Sequence, residues 1–106
     1  MSDRADERAA PISEVEVICY KAFDGWNCSV SVTSEDRTRT EHGVSVRREE
    51  LQRYSLNGDV HGLVEASFRF LLEREPKESI LRQFKLSDIE RYFPEFRGVI
   101  MGRLRT

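Results

Sequence analysis

The dipeptide Asp24-Gly25 divides two stretches in which apolar and polar residues alternate. Asp-Gly favours the two positive φ angles of a type I′ turn, and alternation with period two is typical of strands that bury one face. The sequence therefore predicts a β-hairpin in which Phe23 lies opposite Trp26. The predicted core-facing residues are Val15, Val17, Cys19, Phe23, Trp26, Cys28, Val30 and Val32.

A further alternating stretch, "RTRTEHGVSV", follows a polar turn and predicts a third strand. An odd number of loop residues keeps Val44 and Val46 on the core side, so residues 34–36 are predicted to form a three-residue connection. The expected result is an antiparallel meander in which His42 lies opposite Cys28.

Helical signals follow the strands. Apolar residues recur at steps of three and four over residues 60–75, which predicts the main helix. Asp59 is expected to cap its first turn, and Pro76 to end it because proline has no amide hydrogen to donate. Further on, Ser87 and Glu90 have the spacing of a capping box and predict a short helix.

Strands followed by helices are typical of the α+β class. We predict a three-stranded antiparallel meander with the main helix packed on one face, a short helix over residues 47–55 and another toward the C-terminus. Residues 1–10 are polar and are predicted to form a disordered leader. Residues 11–96 then form a single domain, and residues 97–106 a basic tail that is either frayed or paired at a sheet edge.

Composition restricts the partner classes and the compartment. A net charge of -2 gives no general attraction to nucleic acid or acidic lipid, although 34% of the residues are charged. No run of about 18 apolar residues occurs, and the N-terminus lacks the apolar segment of a signal peptide. We therefore expect no membrane contact and a cytoplasmic location. Because no catalytic or cofactor-binding motif occurs, we expect a protein that is not an enzyme and holds no cofactor.

The two cysteines, Cys19 and Cys28, have neither a CxxC nor a zinc-type spacing. The predicted register makes them diagonal neighbours, so both are expected to be free thiols, as a reducing cytoplasm favours. With His42 on the same face they offer three soft ligands, and a metal- or thiol-dependent enzyme is a third hypothesis. Small residues alternating on adjacent strands are more typical of a packed core, and no bound metal is expected.

The stretch "FLLEREPKESIL" changes from apolar to charged and back around a proline. A charged bend is commonly no more than the outside of a chain reversal. The downstream stretch "RYFPEF" nevertheless offers more aromatic surface than a short helix can bury, which is typical of a docking patch. The residues predicted to form an interaction surface are Arg74, Glu75, Lys77, Glu78, Tyr92, Phe93 and Phe96.

These features favour a non-catalytic protein-interaction or accessory module that binds a partner protein or a second copy of the chain, through the late aromatics or a free sheet edge. A nucleic-acid-binding module is the alternative, because arginines cluster near the middle of the sequence, although acidic residues are interleaved with them. That alternative would use the basic tail together with Arg37, Arg39, Arg47, Arg48 and Arg53.

Residues 42–96 contain the segments "HGVSV", "EASFRFLLEREPKESIL" and "LSDIERYFPEF". On these segments the chain resembles a group of small bacterial and archaeal proteins that share a strand, a helix and a late aromatic motif. The resemblance implies a source of that kind and brings no activity, cofactor or site with it. The chain departs from the group at Lys85, where an aspartate is usual before "LS", so the resemblance assigns no role to an acid there.

Overall fold

The computed structural model describes residues 13–55 and 57–105, and the leader predicted over residues 1–10 lies outside them. The described chain has an α+β fold, as predicted. Its elements are, in order, the strands β1 (Glu14–Ala22), β2 (Gly25–Thr33) and β3 (Arg39–Arg47), the helices α1 (Arg48–Tyr54) and α2 (Val60–Leu72), a 3₁₀ turn (Lys77–Ser79), strand β4 (Gln83–Lys85), and the helices α3 (Asp88–Tyr92) and α4 (Phe96–Arg105).

The sheet has four strands in the order β1-β2-β3-β4, not the predicted three. The first three form the expected antiparallel meander, and β4 adds a short parallel strand beside β3. Gly43 pairs with Gln83, and a β-carbon built on Gly43 would lie 2.7 Å from the side-chain amide nitrogen of Gln83, the end of a flexible side chain that can move aside. A three-residue strand is too short to show alternation, and its partner is distant in sequence, so no local pattern indicated it.

The hairpin turn differs from the predicted one. Ala22 pairs with Gly25, so the two turn residues are Phe23 and Asp24. Gly25 has φ +149°, and a β-carbon built on it would lie 2.0 Å from the carbonyl oxygen of Val46. Glycine is thus required here by the close approach of strand β3, not by a type I′ turn. Phe23, predicted to face the core, is fully exposed at the turn.

The register error leaves the two faces of the sheet unchanged. Val17 pairs with Val30 instead of Val32, and His42 pairs with Val30 instead of Cys28. Each pairing moves by two residues along a strand, and side chains alternate with a period of two, so the residues that lie within the strands keep their predicted faces. The predicted inward direction of Val44 is confirmed, since this side chain is buried.

The sulfur atoms of Cys19 and Cys28 are 2.08 Å apart and form a disulfide. The prediction of two free thiols is therefore wrong. It depended on a register in which the cysteines were diagonal neighbours, whereas the structure pairs them directly, with Cα atoms 4.0 Å apart. Such a short separation is typical of the non-hydrogen-bonded pairs of an antiparallel ladder, whose side chains approach most closely.

Helix α2 packs its apolar side against the sheet, and its buried residues Leu63, Val64 and Phe68 join the strand valines in one core. The predicted cap is confirmed, since the Asp59 carboxylate accepts a hydrogen bond from the Gly62 amide at 3.0 Å. The helix ends at Leu72, three residues before the predicted end. No described helix is long and apolar enough to cross a bilayer.

The capping box predicted for α3 is not formed. Ser87 makes no side-chain cap bond, and the Glu90 carboxylate instead accepts a hydrogen bond from the Tyr54 hydroxyl at 2.5 Å and pairs with Arg97 at 3.1 Å. Burial, followed by this hydrogen bond, raises the pKa of Tyr54 to about 12. Glu90 therefore joins α3 to α1 and α4 instead of capping its own helix.

The basic segment predicted to be a tail forms most of helix α4. Phe96 and Ile100, one helical turn apart, are fully buried. The Phe96 ring lies 5.3 Å from the Tyr54 ring and 5.1 Å from the Phe70 ring, measured between centroids. Arginines and glycines around these apolar residues concealed their helical spacing, and the segment belongs to the core.

Candidate interaction site

A cavity of about 230 Å³ lies where the chain leaves α2, reverses and passes through β4 into α3. We term it the elbow pocket. Its lining includes four residues with polar groups, Glu75, Ser79, Asp88 and Tyr92. The apolar wall consists of Leu71, Ile80, Leu81, Phe84, Ile89 and Phe93.

Tertiary contacts position the wall of the elbow pocket. The buried imidazole of His42 has Nδ1 2.8 Å from the carbonyl oxygen of Leu81 and Nε2 2.8 Å from the Thr40 hydroxyl. The first bond attaches the segment before β4 to strand β3. As a result Leu81 is held at the opening of the pocket with 52% of its surface exposed, although it is a large apolar residue.

The late aromatics are divided between the core and the elbow pocket. Phe96 is fully buried and is absent from any surface. Phe93 is half-buried, lines the elbow pocket and packs edge-on against Phe70 at a centroid distance of 5.8 Å. Tyr92 also lines the pocket and is 68% exposed. The predicted aromatic surface thus consists of Tyr92 and one side of Phe93.

Arg74, predicted to belong to the interaction surface, makes internal contacts. Its guanidinium carbon lies 3.6 Å from the centroid of the Phe70 ring, a cation–π contact. The same group binds Glu95 at 3.1 Å and Glu73 at 3.2 Å. Arg103 from α4 reaches Glu73 at 2.8 Å, and the pKa of Glu73 is lowered, chiefly by that hydrogen bond. These charges attach the end of α2 to α4.

Lys77 is also internal, with only 5% of its surface exposed. Its ammonium group donates to the Ser34 hydroxyl at 2.7 Å, the Thr38 hydroxyl at 2.6 Å and the Glu78 carboxylate at 2.7 Å. Three donors therefore have three acceptors, as burial of a charge demands. We term this arrangement the lysine corner, formed by Lys77, Glu78 and residues 34–38.

Glu75 differs from the other carboxylates of this region. It is half-buried and lines the elbow pocket, yet its carboxylate makes no hydrogen bond or ion pair with any residue in the described ranges. Burial is the cause of its raised pKa. Its position follows from the turn after α2, where the Glu75 amide donates to the Leu71 carbonyl at 3.0 Å.

Three of the seven predicted interaction residues, Glu75, Tyr92 and Phe93, therefore meet at one cavity. Sequence reasoning missed the aliphatic part of the wall, although the apolar residues of "ESIL" after a charged bend were a signal for it. The buried members of this part are Leu71, Ile80 and Ile89, and Leu81 is its exposed member.

The three soft ligands of the metal hypothesis are not available together. The sulfurs of Cys19 and Cys28 are bonded to each other, and both ring nitrogens of His42 already have hydrogen-bond partners. The structure, over its described residues, contains no group of three or more His, Cys, Asp or Glu side chains that could hold a metal ion.

Two arginines of the nucleic-acid hypothesis lie far apart. Arg39 and Arg47 occupy the two ends of β3, roughly 27 Å apart at the usual rise of a strand. Arg39 binds Glu41 at 2.7 Å, and Arg47 lies 3.8 Å from both Asp24 and Glu49. Carboxylates therefore accompany both arginines, which weakens the local positive potential.

Comparisons with known proteins do not assign the chain to a family. No family model matches it, and neither a curated protein nor a solved structure matches it. The resemblance of residues 42–96 to small bacterial and archaeal proteins stays a prediction. The candidate site accordingly rests on its geometry.

Proposed function

We propose that this protein is a non-catalytic interaction module that binds a partner protein by accepting one of its apolar side chains in the elbow pocket. The observation that supports the proposal is an open cavity with an apolar wall at the elbow. Most other apolar residues of the described chain are buried or packed against the core, apart from the exposed Ile18, Tyr20 and Phe23 of the first hairpin. Exposed Leu81 and Tyr92 extend the apolar surface around the opening. An apolar anchor surrounded by such a rim is the usual arrangement of a binding hot spot.

The size of the elbow pocket favours a side chain over a cofactor. Pockets for cofactors and drug-sized ligands usually enclose about 300–1,000 Å³. The elbow pocket encloses about 230 Å³. One large aliphatic or aromatic side chain is a suitable occupant, and the surrounding surface would then contact the main chain of the partner.

A matched pair of substitutions tests the proposal. Leu81→Arg places a charge at the opening of the elbow pocket, whereas Ile18→Arg places the same charge on the outer face of β1, where Ile18 is exposed to a similar extent, 56%. A partner captured by the wild-type protein is purified, and its binary affinity for each variant is measured by calorimetry. We expect Leu81→Arg to weaken binding by about tenfold or more and Ile18→Arg to leave it unchanged.

Equal affinity for the wild-type protein and Leu81→Arg would remove the elbow pocket from the interaction. If the captured partner is a second copy of the chain, light scattering on the wild-type protein should show a dimer that Leu81→Arg dissociates. Loss of binding only in Ile18→Arg would show that the partner binds the outer face of the sheet and not the elbow pocket. The nucleic-acid alternative stays a prediction, since the separation of Arg39 and Arg47 gives it no support.

A cytoplasmic location is part of the proposal, and the disulfide between Cys19 and Cys28 bears on it. Stable disulfides are typical of oxidising compartments, while those of the cytoplasm are commonly transient or redox-sensing. Alkylation of free thiols in intact cells, followed by mass spectrometry, distinguishes these cases. A reduced pair supports the cytoplasm, and a quantitatively oxidised pair argues for an oxidising compartment.

A further inference from the structure

The carboxylates around the elbow differ in whether they have a cationic partner within the protein. Glu73 is bound by Arg103 at 2.8 Å, Glu78 by Lys77 at 2.7 Å and Glu95 by Arg74 at 3.1 Å. Glu75, in the middle of the same segment, has no such partner among the described residues. It is also the member of this group that lines the elbow pocket.

A partly desolvated carboxylate without a partner is unfavourable for folding, because burial removes water that would otherwise solvate its charge. The lining contains a second acid, Asp88, whose carboxylate accepts a hydrogen bond from the Lys85 amide at 3.1 Å and lies 3.8 Å from Arg91. Asp88 is thus partly neutralised, while the charge of Glu75 remains available at the pocket.

We propose that the elbow pocket recognises a segment of a partner protein in which a large apolar side chain lies next to a lysine or arginine, with the apolar group in the cavity and the cation bound to Glu75. This inference rests on the proposed function and names the chemistry of its partner. A cation would give Glu75 the ion pair that Glu73, Glu78 and Glu95 already have within the protein.

Charge complementarity also discriminates against other segments. An acidic neighbour of the anchor would face both Glu75 and Asp88 and would be repelled. A neutral neighbour would leave Glu75 more deeply desolvated without compensation, because the bound segment excludes further water. The apolar wall contributes binding affinity, and Glu75 contributes specificity for partner segments that carry a cation beside the anchor.

Synthetic peptides test this inference directly. Three short peptides share a central leucine and differ in its neighbours, which are lysine, glutamine or glutamate. Their affinities for the wild-type protein are measured by fluorescence anisotropy at neutral pH. We expect the lysine peptide to bind about tenfold more tightly than the glutamine peptide, and the glutamate peptide to bind most weakly.

Variants of the full chain assign the preference to Glu75. Glu75→Gln is expected to bind the lysine and glutamine peptides equally, while retaining the affinity of the wild-type protein for the glutamine peptide within about threefold. Glu16→Gln, the same change on the outer face of β1, should keep the full preference. Thermal unfolding of both variants verifies that they are folded.

The outcomes distinguish the inference from the proposed function. If all three peptides bind the wild-type protein equally and Leu81→Arg abolishes binding, the role of Glu75 is overturned while the elbow pocket remains the site. If the lysine preference persists in Glu75→Gln, another acid supplies it and the inference is also overturned. If no peptide binds, or Leu81→Arg binds as the wild-type protein does, both proposals are overturned.

Discussion

Glu75 and Lys77 stand two residues apart in the same charged elbow, and their environments are opposite. In the lysine corner, the ammonium group of Lys77 is almost wholly buried and has three acceptors within 2.7 Å. At the elbow pocket, Glu75 is half-buried and has no partner among the described residues. A satisfied buried charge stabilises the fold, whereas an unsatisfied one beside a cavity indicates a binding site.

The two late phenylalanines allow the sharpest test of this contrast, since one belongs to the core and one to the elbow pocket. Phe96→Ala removes a fully buried ring between Tyr54 and Phe70 and should lower the free energy of unfolding by about 3–5 kcal/mol. Phe93→Ala removes a half-buried ring and should cost about half as much or less. Urea denaturation measures both. Equal losses would show that the pocket wall is an ordinary part of the core.

The lysine corner should respond strongly to loss of its cation. Lys77→Met keeps the aliphatic stem but leaves the hydroxyls of Ser34 and Thr38 without their charged donor, so we expect a loss of about 2 kcal/mol in the free energy of unfolding. Lys85→Met, at an exposed position on β4, should change it by less than about 0.5 kcal/mol. Similar losses in the two variants would mean that burial of Lys77 contributes nothing specific.

Acid should destabilise the lysine corner, because two of its carboxylates have lowered pKa values in the folded state. Hydrogen bonds from Ser34 and then Thr38 lower the pKa of Asp36, and Lys77 lowers the pKa of Glu78. A carboxyl group whose pKa is lower in the folded state than in the unfolded state stabilises the fold at any pH above its unfolded-state pKa. This stabilisation is lost as the pH falls through its folded-state pKa.

We therefore expect wild-type stability to decline below about pH 4, the ordinary range of a carboxyl pKa. Asp36→Asn should show a shallower decline in urea denaturation over that range. The neighbouring exposed substitution Glu35→Gln serves as the control, and an identical decline in all three proteins would exclude Asp36 as a source of acid sensitivity.

Glu75→Gln should have the smallest effect on stability. Burial raises the pKa of Glu75, so the folded state binds its proton more tightly than the unfolded state does. The protonated carboxyl therefore stabilises the fold at any pH below its unfolded-state pKa, and this stabilisation is lost as the pH rises through the folded-state pKa. At neutral pH the charged form of Glu75 is slightly unfavourable for folding.

Removal of the Glu75 charge should therefore leave the free energy of unfolding unchanged or raise it by about 0.5 kcal/mol or less, since the group is partly solvated. Thermal or urea unfolding at neutral pH measures this change. A loss of more than about 1 kcal/mol would indicate that Glu75 has a structural partner and would remove the contrast with Lys77.

The amino-acid sequence by itself determined the features that depend on local chemistry. Alternation assigned Val17, Val30 and Val44 to the buried face of the sheet, and this assignment survived an incorrect register because a shift of two residues preserves the face. The Asp59 cap was also predictable, because it depends on a carboxylate and an amide three residues apart.

Only the tertiary structure decided the features that depend on distant residues. In the register that joins Cys19 to Cys28, Gly25 lies in strand β2 against β3 and not in the turn. The burial of Ile100 in α4 depends on a core assembled from elements across the chain. In the elbow, acceptors from residues 34–38 make Lys77 internal, while no described partner reaches Glu75. The two charges look alike in sequence because solvation is a property of the packed surroundings and not of the residue itself.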